Sequence, residues 1–209
     1  TFPIVHTGGS RQIAKAAAAS KVERLVEVSA IGADLDSTSL YAQTKAAGEA
    51  AARQSFPSVT IVRPSIVFGP EDKFLNRIVN LARFSPLLPL YGGGKTRVQP
   101  VYVGDVSEAI MRILKDPATR GQVYELGGPQ IMTLHEIVSL VMRETGRHRL
   151  LMPLPFWFGE AQAAILEKLP NPPLTRDQIR LLRKDNVVES GALSFTDLGI
   201  TPTPIEDIL

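Results

Sequence analysis

Along the 209 residues, the spacing of apolar positions switches repeatedly between helical and extended periods, and each switch marks an element. Ser10 to Ser20 is Ala-rich and reads as a helix, leading into a strand from Glu23 to Ser29 whose apolar run is Leu25 to Val28. Ser39 to Ser55, rich in Ala, Glu, Gln and Lys, predicts a second helix. The β-branched run Val59 to Arg63 predicts a second strand, ended by the turn Pro64 to Pro70. Phe74 to Phe84 then places Phe74, Leu75, Ile78, Val79, Leu81 and Ala82 on one helical face.

The second half carries stronger boundary signals. Val101 to Val103 reads as a short strand, and Asp105 with Glu108 resembles an acid-type capping box opening a helix to Lys115. Gln122 to Leu126 predicts another strand, ended by Gly127-Gly128-Pro129. Thr133 and Glu136 form a capping box, and Gly146 is placed to stop that helix. From Leu150 the chain turns apolar through Trp157 and Phe158, then predicts a helix to about Leu169 whose Trp157, Ala161, Ala164 and Ile165 share a face. That face either packs under the lobe or docks on a partner or a membrane-side surface. Asn171-Pro-Pro reads as a linker, and Thr175 with Gln178 opens a last helix to about Lys184. Its Arg176, Arg180, Arg183 and Lys184 read as a solvated basic face, weighed against a lipid or nucleic-acid site. Near the end, Pro204 suits the first position of a short helical turn. Strands alternating with helices imply an α/β chain with a parallel sheet.

Composition narrows the function classes. With 44% hydrophobic and 21% charged residues, the chain is long and apolar enough for one large domain, or one domain with a small lobe. The 23 Lys and Arg against 21 Asp and Glu leave a net charge of only +2, without the clustered basic stripe of a nucleic-acid binder. The absence of Cys excludes a disulfide framework and a thiolate metal site, and fits a reducing, cytoplasmic setting. His6, His135 and His148 are scattered, so no structural metal is expected. No apolar run approaches the roughly 20 residues of a membrane span.

Candidate chemistry sits at Ser29, Tyr41 and Lys45. Tyr41 and Lys45 fall one turn apart on one helix face, and an adjacent ammonium favours a phenolate, lowering a phenol pKa from about 10. Tyr41 then passes a proton to or from a substrate oxygen while a hydride moves at the neighbouring carbon. Ser29, at the carboxyl end of its strand, is placed to hold the same oxygen.

Ser29, then Tyr41-Ala-Gln-Thr-Lys45, then Arg63-Pro64 with Phe68-Gly-Pro70, resembles in order and spacing the short-chain dehydrogenase/reductase family in its extended or atypical branch. The resemblance implies a Rossmann-like fold that binds NADP or NAD. It implies catalytic roles for Ser29, Tyr41 and Lys45, and cofactor contacts from Tyr41, Lys45, Pro64, Ser65, Ile66 and Val67. On that basis residues 1–70 are the second half of the nucleotide-binding domain. Residues 71–209 interleave remaining core elements, about 98–126, with a C-terminal substrate or partner lobe.

Two glycine-rich stretches invite a phosphate-binding reading. Around Thr7-Gly-Gly-Ser-Arg, Gln12 and Ala14 stand where the family's phosphate loop has glycines, so the segment reads as a helix start. Gly92-Gly-Gly-Lys95-Thr96 looks like the tail of a Walker loop, but its first glycine would fall on Pro89, and a substrate-side loop is the better reading. A dinucleotide site needs a glycine-rich turn at a helix N-terminus. The expectation is therefore that the nucleotide-binding half lies upstream of this sequence.

Further landmarks sharpen the resemblance: Phe68 to Asn76, Gln99 to Val103 with Asp105-Val106, Leu174-Thr-Arg-Asp177, and Asp197-Leu-Gly-Ile200. They are similar to the dehydrogenase-like accessory subunits of respiratory complex I and their bacterial relatives. That resemblance implies NADPH held as a structural element, complex I subunits as partners, and a position peripheral to the inner membrane. Ser29, Tyr41 and Lys45 keep a free oxidoreductase or sugar-nucleotide epimerase or dehydratase open as the alternative. The substrate is not legible.

Overall fold

The structure, a computed structural model, describes residues 3–208. A π-helical segment, Pro3–Gly9, runs directly into α1, Ser10–Ala19. The Thr7-Gly-Gly stretch is therefore helical, as a helix start requires. β1 is Val26–Val28, α2 Leu40–Ser55, and β2 Thr60–Pro64. Small residues let α1 and α2 approach: Ala14 and Ala17 pack with Ala52, Phe56 and Val59 in one buried cluster. At Gly48 a Cβ would stand 2.9 Å from the His6 carbonyl oxygen, so only glycine admits that close passage.

β3 is Val67–Phe68, α3 Leu75–Phe84 and β4 Leu87–Tyr91. β5, Arg97–Val98, and β6, Val101–Tyr102, lead into α4, Val103–Lys115. β7, Val123–Leu126, is followed by β8, Met132–Thr133, and α5, Leu134–Glu144. β9, Leu150–Leu154, precedes α6, Phe156–Leu166, and α7, Arg176–Leu181.

The central sheet is parallel, in the order β1-β2-β7. β2 is buried almost throughout, which accounts for its continuous apolar run rather than an alternating one. α4 covers this sheet with Val106, Ala109 and Ile113, which join Val62, Val101 and Leu126 in the core. A second core gathers Leu88, Leu90, Val98, Ile137 and Val141 between β4, β5 and α5. Short two-stranded pairings, β3-β6, β4-β9 and β5-β8, lace the rest of the chain around the sheet.

Several boundaries differ from the expectation. α4 begins at Val103, so Asp105 lies inside its first turn and does not cap it. The buried Asp105 carboxylate accepts instead from the Thr203 backbone N–H at 2.6 Å and its hydroxyl at 3.0 Å, tying the C-terminal tail to the start of α4. Glu108 is committed to Arg112, at 2.6 Å. The apolar stretch at Leu150 is a strand before it is a helix, and the helix ends at Leu166 rather than Leu169. Its Trp157 and Ile165 are 67% and 69% exposed, whereas Gly159 and Ala163 face inward, so the face expected to pack under the lobe does not. The capping boxes at Thr133/Glu136 and Thr175/Gln178 are both formed.

Candidate functional site

Ser29 and Tyr41 line one cavity of about 1130 Å³ at the carboxyl end of the parallel sheet, where open α/β sheets receive their ligands. Pro64, Ser65, Ile66 and Val67, which run from the end of β2 into β3, line it as well; the expected turn from Pro64 to Pro70 is thus interrupted by a short strand. The Ser29 backbone N–H donates to the Val62 carbonyl at 2.7 Å, and Ile31 N–H to the Pro64 carbonyl at 3.0 Å, so the sheet ladder itself holds the two strand ends side by side. Ser29 is buried, 5% exposed, and its hydroxyl has no hydrogen-bond partner among the described residues. A buried hydroxyl left unsatisfied costs free energy, on the order of 1–3 kcal/mol, unless an incoming polar atom meets it.

Tyr41 and Lys45 sit on α2, one turn apart. The half-buried Lys45 ammonium turns away from the cavity wall and donates to the Val28 carbonyl at 2.8 Å. Burial lowers its pKa, against the opposing attraction of Glu27 and Glu49. The expected depression of the Tyr41 pKa is not seen: burial raises it, because the phenolate loses solvation in this wall. Tyr41 is therefore held as a neutral phenol, a proton donor at neutral pH. His6 stacks edge-on against its ring, with centroids 5.6 Å apart, and shares a hydrogen bond with Thr44 Oγ1 at 3.0 Å.

The start of α2 is fixed from far along the chain. Asp177, on α7, accepts from the Leu40 backbone N–H at 2.6 Å, from Tyr41 N–H at 3.2 Å and from the Ser39 hydroxyl at 3.0 Å. A carboxylate here satisfies orphan amide donors and complements the positive end of the helix dipole. Asn186 extends the same clamp. Its side chain donates to the Ile31 carbonyl at 3.1 Å and accepts from Ser65 Oγ at 2.6 Å. Ser65 thus has its hydroxyl committed to the protein, and offers a ligand only its backbone and surface. Neither Asp177 nor Asn186 is apparent as a site residue from the sequence; Asp177 belongs to a stretch notable there only as a landmark.

Gly92-Gly-Gly does not face the cavity. Its three glycines adopt φ of 64°, 69° and 67°, a left-handed run that links β4 to β5, with the Phe156 ring against Gly92. Among the described residues there is no group of His, Cys, Asp and Glu that could hold a metal ion, and no helix is long and apolar enough to cross a membrane.

The residues present fit the nicotinamide end of a dinucleotide. They line it with an unsatisfied buried hydroxyl at Ser29, a neutral phenol at Tyr41 and the backbone from Pro64 to Val67, with the Lys45 ammonium behind Tyr41 on the Val28 carbonyl.

A family model described as the RmlD substrate binding domain matches residues 33–192. The chain is 39% identical over 194 residues to NADH dehydrogenase [ubiquinone] 1 alpha subcomplex subunit 9, mitochondrial, of Arabidopsis thaliana, covering 87% of this chain and 48% of that protein. It is 36% identical over 208 residues to the protein of the same name from Mus musculus, covering 98% and 55%. The chain thus spans about half the length of these curated relatives. Among solved structures it is similar to dTDP-glucose 4,6-dehydratase from Streptomyces venezuelae with NAD and TYD bound, with a TM-score of 0.62, 23% identity, and coverage of 73% of this chain and 54% of that one. The parallel sheet, the Ser29 and Tyr41 cavity at its carboxyl end and the family match agree, and the chain belongs to the RmlD substrate binding domain family, on an extended short-chain dehydrogenase/reductase fold.

Proposed function

We propose that this chain belongs to a nicotinamide-dinucleotide-binding accessory subunit of NADH:ubiquinone oxidoreductase, seated peripherally at the inner membrane. The likeness to subunit 9 of the mitochondrial NADH dehydrogenase, across nearly the whole chain, carries this reading. The dinucleotide, NADPH by preference, is held as a structural element with its nicotinamide side toward Tyr41, Lys45 and Pro64 to Val67. Lys45 supports a holding role: its ammonium braces the end of β1 through the Val28 carbonyl and so ties α2 to the strand. Purification at endogenous expression tests the reading. The protein should co-migrate with assembled NADH:ubiquinone oxidoreductase through size-exclusion and native electrophoresis; migration as a free species under the same conditions rejects it.

One observation favours a second reading, a free oxidoreductase or sugar-nucleotide epimerase or dehydratase. Ser29 Oγ is buried without a partner on the wall that Tyr41 also lines. A bound nicotinamide supplies or accepts a hydride. Ser29 would donate to the substrate oxygen, and neutral Tyr41 would release its proton to that oxygen in the reducing direction. Turnover falling by two to four orders of magnitude, about 10²–10⁴-fold, in Tyr41→Phe would support an enzyme; turnover unchanged by that substitution would dismiss this mechanism.

A further inference from the structure

The cavity beside Ser29 and Tyr41 is larger than these residues need, about 1130 Å³, just above the roughly 300–1,000 Å³ of small-ligand sites. Away from Tyr41 its wall is apolar, built by Ile66, Phe74, Ile78, Leu166, Leu174 and Leu181. Three of the polar side chains on this wall are committed within the protein. Tyr91 donates to Gln162 at 2.6 Å, Ser65 to Asn186 at 2.6 Å, and Thr96 to the Leu182 carbonyl. A sugar seated against the Ile66, Phe74 and Leu181 side would turn hydroxyls toward carbon, each at the cost of desolvation.

Charge along the same wall is uneven. Arg183 and Lys184 are paired with Glu160 and Asp34. Arg77 and Arg180 also line the cavity, and neither forms an ion pair among the described residues; Arg180 donates to the Thr38 carbonyl at 3.3 Å. Both guanidiniums are exposed at the rim and able to meet a phosphate with several donors. Apolar character also continues outward. α6 lines the cavity with Gln162 and Leu166 while its far side leaves Trp157 and Ile165 exposed.

We infer that the cavity takes an amphipathic lipid phosphate, with its hydrocarbon chain against the apolar wall and its phosphate at Arg77 and Arg180. The inference deepens the dehydrogenase-like reading and rests on it for the nicotinamide end at Ser29 and Tyr41, which a lipid-binding assay does not measure.

Calorimetry on the full chain purified from its native source tests it, using palmitoyl lysophosphatidate, monopalmitoylglycerol and glycerol 3-phosphate, each below its aggregation threshold. Lysophosphatidate should bind about tenfold or more tighter than monopalmitoylglycerol, as a charge-assisted phosphate contact warrants, and glycerol 3-phosphate should not bind measurably. The double substitution Arg77→Ala with Arg180→Ala should erase that preference at unchanged thermal stability, and Leu181→Glu should weaken both acylated probes together. Failure of lysophosphatidate to bind overturns the proposal. So do equal binding of glycerol 3-phosphate, a double variant that keeps the preference, or displacement of the lipid by UDP-glucose at comparable affinity.

Discussion

The carboxylate of Asp177 meets the backbone N–H of Tyr41 at 3.2 Å, across 136 residues of chain. The C-terminal lobe thereby sets the start of the helix that carries the candidate acid. Asp177→Ala removes this cap and should cost about 1–3 kcal/mol, because donors it satisfies lose a charged acceptor. Hydrogen exchange should quicken first at Leu40 and Tyr41. Asp177→Asn should lie between, and Asp36→Ala, an exposed carboxylate nearby, should leave those amides unchanged.

Burial holds the Tyr41 phenol above its ordinary pKa of 10.0. A reduction that uses Tyr41 as its acid should therefore run at a constant rate through neutral pH and decline only above about 10, where the phenol ionises. A pH-rate profile checks this. Stability runs the same way: above about 10 the unfolded chain releases this proton before the folded one, so the contribution of Tyr41 falls as pH rises through that window.

His6 works in the opposite direction. Burial, then the Lys45 ammonium, lowers its pKa below 6.5 against the attraction of Glu27. Its packing against Tyr41 and Thr44 is fully present above about pH 6.5 and weakens as pH falls through the lowered folded value, since the unfolded imidazole protonates first. Exchange of the Pro3–Gly9 segment should quicken in mild acid, and His6→Phe should flatten that dependence.

Arg63 bridges Glu49 at 2.7 Å and Glu125 at 3.4 Å, with both carboxylates nearly buried. Its hydrogen bond to Glu49 is the main cause of a raised guanidinium pKa. Glu49→Ala breaks the shorter pair and should lower stability by about 3 kcal/mol, a thermal shift of roughly 6–12 °C for a chain this size. Thermal melts of Glu49→Ala and Arg63→Met together separate the two partners: the double variant should recover part of the loss.

Local patterns made much of this fold legible. The buried β2 run, the Ala-rich α1 and α2, and the boxes at Thr133 and Thr175 all follow from rules acting within a few residues. Asp105 shows where such rules stop. Its spacing to Glu108 resembles a cap, yet its partner is Thr203, 98 residues on. Tyr41 shows the same limit in electrostatics: one-turn spacing places Lys45 on the same helix face, but the burial of the ring sets the sign. The places of Ser29 and Tyr41 in the fold could be read because each is marked by local strand and helix signals. Asp177 and Asn186 could not, because their contacts form only after α7 folds back over the strand ends.

The central claim is that the protein holds a nicotinamide dinucleotide. Its most direct test is mass spectrometry of the small molecules released on denaturing the full-length protein isolated with NADH:ubiquinone oxidoreductase. The account predicts close to one NADPH per copy, largely lost in Lys45→Ala preparations that still assemble. Preparations that assemble normally and release no nicotinamide dinucleotide would contradict it.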